Sequence, residues 1–172
     1  MDNKNCTLDE LLNIVQGPDF PTGGIVQGIE GIRKAYETGR GKIIVKSKYE
    51  IETTKNEHKI VITEIPYDVV KANMIRKMND QITSREVDGV RAIRDESDKS
   101  GLRIVIDIRK DVNPDYIVNF LLKTTELQTS YNYNMVAISK GRPLCMGLID
   151  ILLFACILYI LLTLFLKILL HV

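Results

Sequence analysis

Covalent, redox or metal chemistry would have to be built on tyrosine, cysteine, histidine or clustered carboxylates, and this 172-residue chain spreads them thinly. Cys6, Cys145 and Cys156 are odd in number and show no CxxC spacing, so they read as free thiols of a reducing compartment. His58 and His171 are too few and too far apart for a zinc site or a histidine-based triad. Asp95, Glu96 and Asp98 form an acidic run. It lacks EF-hand spacing and the closing bidentate Glu, which leaves an exposed hairpin turn as the expected reading. Gly41-Lys42 is followed by Ile43, and Tyr36 stands where a Walker loop needs its first Gly. ATP is therefore not handled by this chain alone.

Charge is more informative. The whole chain carries only +1, but residues 28–48 hold six cations, Arg33, Lys34, Arg40, Lys42, Lys46 and Lys48, against two carboxylates, a local +4. The flanks are acidic, −3 over residues 1–27 and −2 over 49–64. A basic segment between acidic ones fits a local anionic contact, phosphate among them, and equally a solvated strand face.

The elements that must position these groups follow from periodicity. Thr7-Leu8-Asp9-Glu10 is a capping-box pattern, and Leu8, Leu11, Leu12 and Val15 make a helical stripe up to Gly17. "GPDFPTGG", residues 17–24, cannot continue a helix or a strand, because its prolines remove donors and its glycines favour special dihedrals. Gly28 to Thr38 predicts a second helix, with Gly39 as its C′ residue. Residues 42–52 alternate as one strand, with Lys55-Asn56-Glu57 as its turn and Lys59 to Ile65 as the return.

Val70, Met74, Met78 and Ile82 predict an amphipathic helix over 69–83, its methionines filling a core. A weaker strand over 87–94, the polar run 95–101 and alternation from Leu102 to Ile108 predict a second hairpin. Asn113-Pro114 is an N-cap with Pro at N1, starting a helix whose inward face includes Ile117, Phe120 and Leu121. Tyr131 to Ser139 is a last strand, closed by Gly141-Arg142-Pro143. Two consecutive ββα units imply an α+β domain, an antiparallel or mixed sheet with helices packed on it.

The end is different in kind. From Leu148 to Leu170 only Asp150, Thr163 and Lys167 are not apolar. Residues 151–166 would span about 24 Å as a helix, short of the ~30 Å hydrocarbon layer unless Lys167 snorkels. A membrane anchor, a helix buried in a partner and a tail never selected for this place remain open.

Six ordered motifs go further. Gly17-Pro-Asp-Phe-Pro-Thr-Gly-Gly24, Gly31-Ile-Arg-Lys-Ala-Tyr-Glu-Thr-Gly-Arg-Gly-Lys42, Thr63-Glu-Ile-Pro-Tyr67, Arg94-Asp-Glu-Ser-Asp98, Leu127-Gln-Thr-Ser130 and Asn134-Met-Val-Ala137 stand in sequence. Together they resemble the A subunit of bacterial type IIA DNA topoisomerases over about residues 8–148. Ser130-Tyr-Asn-Tyr-Asn-Met-Val-Ala-Ile-Ser139 with Gly141-Arg142-Pro143 is more similar to the topoisomerase IV paralogue of Gram-positive bacteria than to gyrase.

The resemblance implies a cytoplasmic fragment of an ATP-dependent type II enzyme that serves chromosome segregation. Residues 1–27 would be the end of the winged-helix region and its joint loop. Residues 28–147 would be a tower-like domain flanking the cleaved gate duplex, and 148–172 an apolar helix. Its partners would be double-stranded DNA, the topoisomerase B subunit, which carries ATP and Mg²⁺, and a second A subunit. The six cations of residues 28–48 would meet phosphates without reading bases.

The family's catalytic Tyr lies in an Arg-Tyr motif upstream of the matched region. Tyr36, Tyr49, Tyr67, Tyr116, Tyr131, Tyr133 and Tyr159 match tower positions or none, so no catalytic residue and no metal ligand is assigned. After Leu152 the family continues as a polar amphipathic helix, and this chain does not. Its last stretch is expected to be a frameshifted or truncated end, which the other two reading frames of the underlying DNA would test.

Overall fold

A computed structural model of the chain describes residues 6–139 and 141–170, with backbone only for Ile160 and residues 162–170. The helices are α1 (Leu8–Ile14), α2 (Ile29–Thr38), α3 (Lys71–Thr83), α4 (Pro114–Thr124) and α5 (Leu148–Leu170). The strands are β1 (Ile25–Gln27), β2 (Arg40–Lys46), β3 (Lys48–Thr53), β4 (Glu57–Glu64), β5 (Val90–Asp95), β6 (Ile104–Arg109), β7 (Gln128–Asn134), β8 (Val136–Ser139) and β9 (Arg142–Cys145). They form sheets ordered β1-β2-β7, β3-β4-β6-β5 and β8-β9. The fold is α+β, as expected, with every registered strand pair antiparallel.

Two compact units divide the chain. The larger comprises Asp19–Gln27 and Ile44–Ser130. It contains the β3-β4-β6-β5 sheet, made by the two hairpins read from sequence, with α3 and α4 on one face. Ile60, Ile62, Ile104, Ile106 and Ile108 point to that face and bury completely or nearly so against Met74, Met78, Ile117 and Leu121. Burying a side chain of this size contributes roughly 1.5–3 kcal/mol, so these rows hold the unit together. Both methionines fill the core. Asn113 caps α4 by accepting the Asp115 N–H at 2.9 Å, with Pro114 at the first helical position.

The other unit comprises Met1–Pro18, Gly28–Ile43 and Tyr131–Val172. The capping box of α1 is complete: Glu10 N–H donates to the Thr7 hydroxyl, and Thr7 N–H donates to the Glu10 carboxylate. Ile32, Ala35 and Tyr36 are the buried face of α2, which ends at Gly39 with φ 77°. α5 starts where Gly147 presses on the Glu37 and Tyr36 carbonyls of α2.

Four expectations change. The strand over 42–52 is two strands, broken at buried Ser47, whose N–H donates to the Leu127 carbonyl at 2.8 Å instead of to a ladder. The strand over 131–139 is also two, starting earlier at Gln128 and broken at Met135. There the Met135 N–H turns to the Gly39 carbonyl at 2.8 Å. Arg142-Pro143 does not close that strand but opens β9, with Pro143 opposite Ile138, a position that a two-stranded edge tolerates. The Pro- and Gly-rich loop of residues 17–24 leads into β1, which the alternation of side chains does not show because only three residues pair.

Residues 148–170 are helical, and Leu153, Ile157, Leu158, Tyr159 and Leu161 are exposed. Among the described residues no helix is long and apolar enough to cross a membrane. The snorkelling read for Lys167 and the position of His171 lie outside the described residues.

Candidate nucleic-acid interface

Glycine packing shapes a basin that gathers several of the basic residues. A Cβ on Gly41 would stand 2.7 Å from the Gly31 carbonyl oxygen and 2.8 Å from Ala35 Cβ, and one on Gly31 would collide with the Lys42 carbonyl. Two glycines thus let α2 and the start of β2 approach to backbone contact. The charged neighbours Lys34, Arg40 and Lys42 are then lifted around a shallow basin of about 770 Å³. Glu30, Asn132, Tyr133 and Asn134 complete its lining.

The six expected cations do not behave alike. Lys34, Arg40 and Lys42 converge on the basin and form no ion pair with the described residues. Arg33, on the outer face of α2, is paired with Asp9. Lys48 is paired with Glu64 at 3.4 Å. Lys46 and Lys48 belong to the other compact unit, and the structure does not gather them with the three. In β2, Arg40, Lys42 and Lys46 share the parity opposite to the fully buried Ile43 and Val45. The alternation read from sequence is therefore correct there.

Sequence reasoning missed Asn132 and Asn134. They are exposed, whereas Tyr131 and Tyr133 of the same strand are half-buried. Tyr133 meets Tyr36 edge-on, with ring centres 6.5 Å apart and planes at 63°. The signal that could have found the two asparagines is the Tyr-Asn-Tyr-Asn alternation, which puts both on the face opposite the rings.

The acidic run does local work. Asp95 accepts the Ser97 N–H at 3.1 Å and pairs with Lys71 at 2.7 Å, while Asp98 accepts the Ser100 N–H at 2.8 Å and its hydroxyl. Among the described residues no three potential ligands converge on a metal position.

The α+β chain thus carries a shallow, open basin lined by three cations and one carboxylate. The family model for the A subunit of DNA gyrase/topoisomerase IV matches residues 1–158, and the chain belongs to that family. It is 53% identical to the DNA topoisomerase 4 A subunit of Bacillus subtilis (strain 168) over 149 residues. It is 49% and 52% identical over 153 residues to the proteins of that name from Staphylococcus epidermidis and Staphylococcus aureus. These matches cover 86–88% of this chain but only 18–19% of each relative, so the chain spans about a fifth of their length. The family match reaches eleven residues into α5, beyond the stretch that carries the six motifs.

Proposed function

We propose that this chain is a tower-domain segment of a topoisomerase IV A subunit, the DNA breakage-reunion subunit, and that it binds the gate duplex without regard to sequence. The observation that carries this reading is the convergence of Lys34, Arg40 and Lys42, unpaired among the described residues, on one open basin. Point charges on a concave surface meet phosphates, fix the duplex in place and carry no base information. Residues 1–27 then form the end of the winged-helix region with its joint, 28–147 the tower and 148–172 an apolar helix. The partners are a duplex, a B subunit that supplies ATP and Mg²⁺, and a second A subunit, in the cytoplasm. The proposed role is to bind DNA without cleaving it, with none of the seven tyrosines assigned as nucleophile.

The test is anisotropy of labelled duplexes of two unrelated sequences. Equal affinity for both is expected, falling linearly with the logarithm of salt, and lost in the Lys34→Glu/Arg40→Glu/Lys42→Glu variant. Binding that survives this triple reversal overturns the interface. Relaxation of supercoiled plasmid by this chain alone overturns the absence of cleavage chemistry.

A further inference from the structure

We infer that Asn132 and Asn134 of β7 are further duplex-binding residues, which donate their side-chain amides to sugar–phosphate oxygens seated on Lys34, Arg40 and Lys42. This rests on the duplex reading of the basin.

Four observations converge. Both asparagines are exposed and line the same basin as the three cations. They alternate with Tyr131 and Tyr133, so β7 presents the two amides on one side while its rings turn inward. Asn134 Oδ1 stands 3.7 Å from the Cys145 sulfur, whose single proton lies nearer the Gly39 carbonyl at 3.3 Å, and the Asn134 Nδ2 hydrogens make no hydrogen bond among the described residues, so they are left for an incoming oxygen. No hydrogen bond to Glu30, the one carboxylate in the lining, engages either amide among the described residues.

The basin therefore offers donors almost throughout: two ammoniums, one guanidinium and two amides. A phosphodiester backbone only accepts, so the match is to its oxygens rather than to base edges, which present both donors and acceptors. Glu30, one helical turn before Lys34 on α2, is the one carboxylate in the lining and repels phosphate.

A neutral contact has a signature that a charge does not. Removing a cation reduces counterion release and flattens the salt dependence, by about 0.9 in the log–log slope for each lost contact. Removing an amide lowers affinity at every salt concentration and leaves the slope alone. The experiment is duplex titration of the full 172-residue chain between about 50 and 200 mM salt. It compares wild type with Asn132→Ala, Asn134→Ala, their polar counterparts Asn132→Ser and Asn134→Ser, and Lys42→Ala, with thermal melts confirming folding.

Each alanine variant is expected to bind about fivefold more weakly, with unchanged slope. The loss should be equal on A·T-rich and G·C-rich duplexes. Wild-type affinity in the Asn132→Ala/Asn134→Ala double variant, with Lys42→Ala still flattening the slope, overturns this inference and leaves the duplex reading standing. A loss confined to one base composition also overturns it, by moving the contact to base edges. If Lys42→Ala leaves the slope unchanged, the duplex reading fails and this inference with it.

Discussion

Glu64, the last residue of β4, accepts the backbone N–H of Gly24 at 2.5 Å across 40 residues of chain. The same carboxylate pairs with Lys48 at 3.4 Å. The Pro- and Gly-rich loop ending at Gly24 is thus tied at its far end. Gly24 has φ +96°, and a Cβ there would stand 2.9 Å from Val45 Cγ1, so no other residue fits the tie easily.

Replacing Glu64 by Ala should destabilise the fold by about 1–2 kcal/mol, the range for a hydrogen bond to a charged group that is partly solvated. Glu64→Gln, which keeps an acceptor, should cost less. The Gly24 hydrogen bond, and after it Lys48, holds the Glu64 carboxyl below its ordinary value. A depressed carboxylate contributes stability above its unfolded value and loses it as pH falls through the folded one. The difference between wild type and Glu64→Ala in urea unfolding should therefore shrink below the ordinary glutamate range. A constant difference down to strongly acid pH contradicts the tie.

The glycine contact between α2 and β2 makes a second prediction. Gly41→Ala puts a methyl group against the Gly31 carbonyl and Ala35, both of them backbone or fixed side chain with no room to move aside. A loss of about 2 kcal/mol or more is expected in thermal unfolding, as for overpacking elsewhere. Duplex affinity should fall with it, because Arg40 and Lys42 flank the displaced residue. A Gly41→Ala protein with unchanged melting and binding would show that the close approach does not shape the basin.

How the cations divide is a third prediction and measures what sequence could show. Composition marks all six equally, since nothing in a one-dimensional charge count reveals that Asp9 meets Arg33 or that Glu64 meets Lys48. Those pairings depend on tertiary packing, as do the breaks at Ser47 and Met135, where an amide bonds outside its ladder. Alternation and capping, by contrast, are local, and the hairpins, the α4 cap and the methionine-filled core are legible for that reason. Lys34→Ala, Arg40→Ala and Lys42→Ala should each flatten the salt dependence of duplex binding, whereas Arg33→Ala and Lys48→Ala should change it less. Equal effects at all five positions would return the interface to an undivided basic stripe.

The acidic loop carries a pH prediction of its own. Lys71, and after it Ser97, hold the Asp95 carboxyl down from 3.8 to about 2. Lys71 begins α3, where a cation faces the unfavourable end of the helix dipole, and Asp95 offsets that cost. Because the folded value is depressed, the contribution is present above 3.8 and is lost between there and about 2. Lys71→Met should lower stability at neutral pH and give a shallower loss over that acid window. A titration of unfolding free energy by denaturant checks it, and parallel curves for the two proteins would contradict it.

On the face of the β3-β4-β6-β5 sheet away from α3 and α4, Asp107 is only 5% exposed and is gripped by Arg94 through two bonds, at 2.8 and 3.2 Å. Its neighbours Val61 and Val105 are buried as well. Arg94 also reaches Glu96, which in turn pairs with Arg103. Truncating Arg94 to Met leaves a buried carboxylate without its counter-charge. The expected loss is about 2–3 kcal/mol, below the ~3–5 of a wholly buried pair because Arg94 is half exposed. Replacing both partners, as Arg94→Met/Asp107→Leu, removes the stranded charge together with its cost and should recover most of that loss. If the double variant is as unstable as the sum of the single ones in urea unfolding, the pair is not what makes Arg94 necessary, and the link to Glu96 and Arg103 must carry the difference.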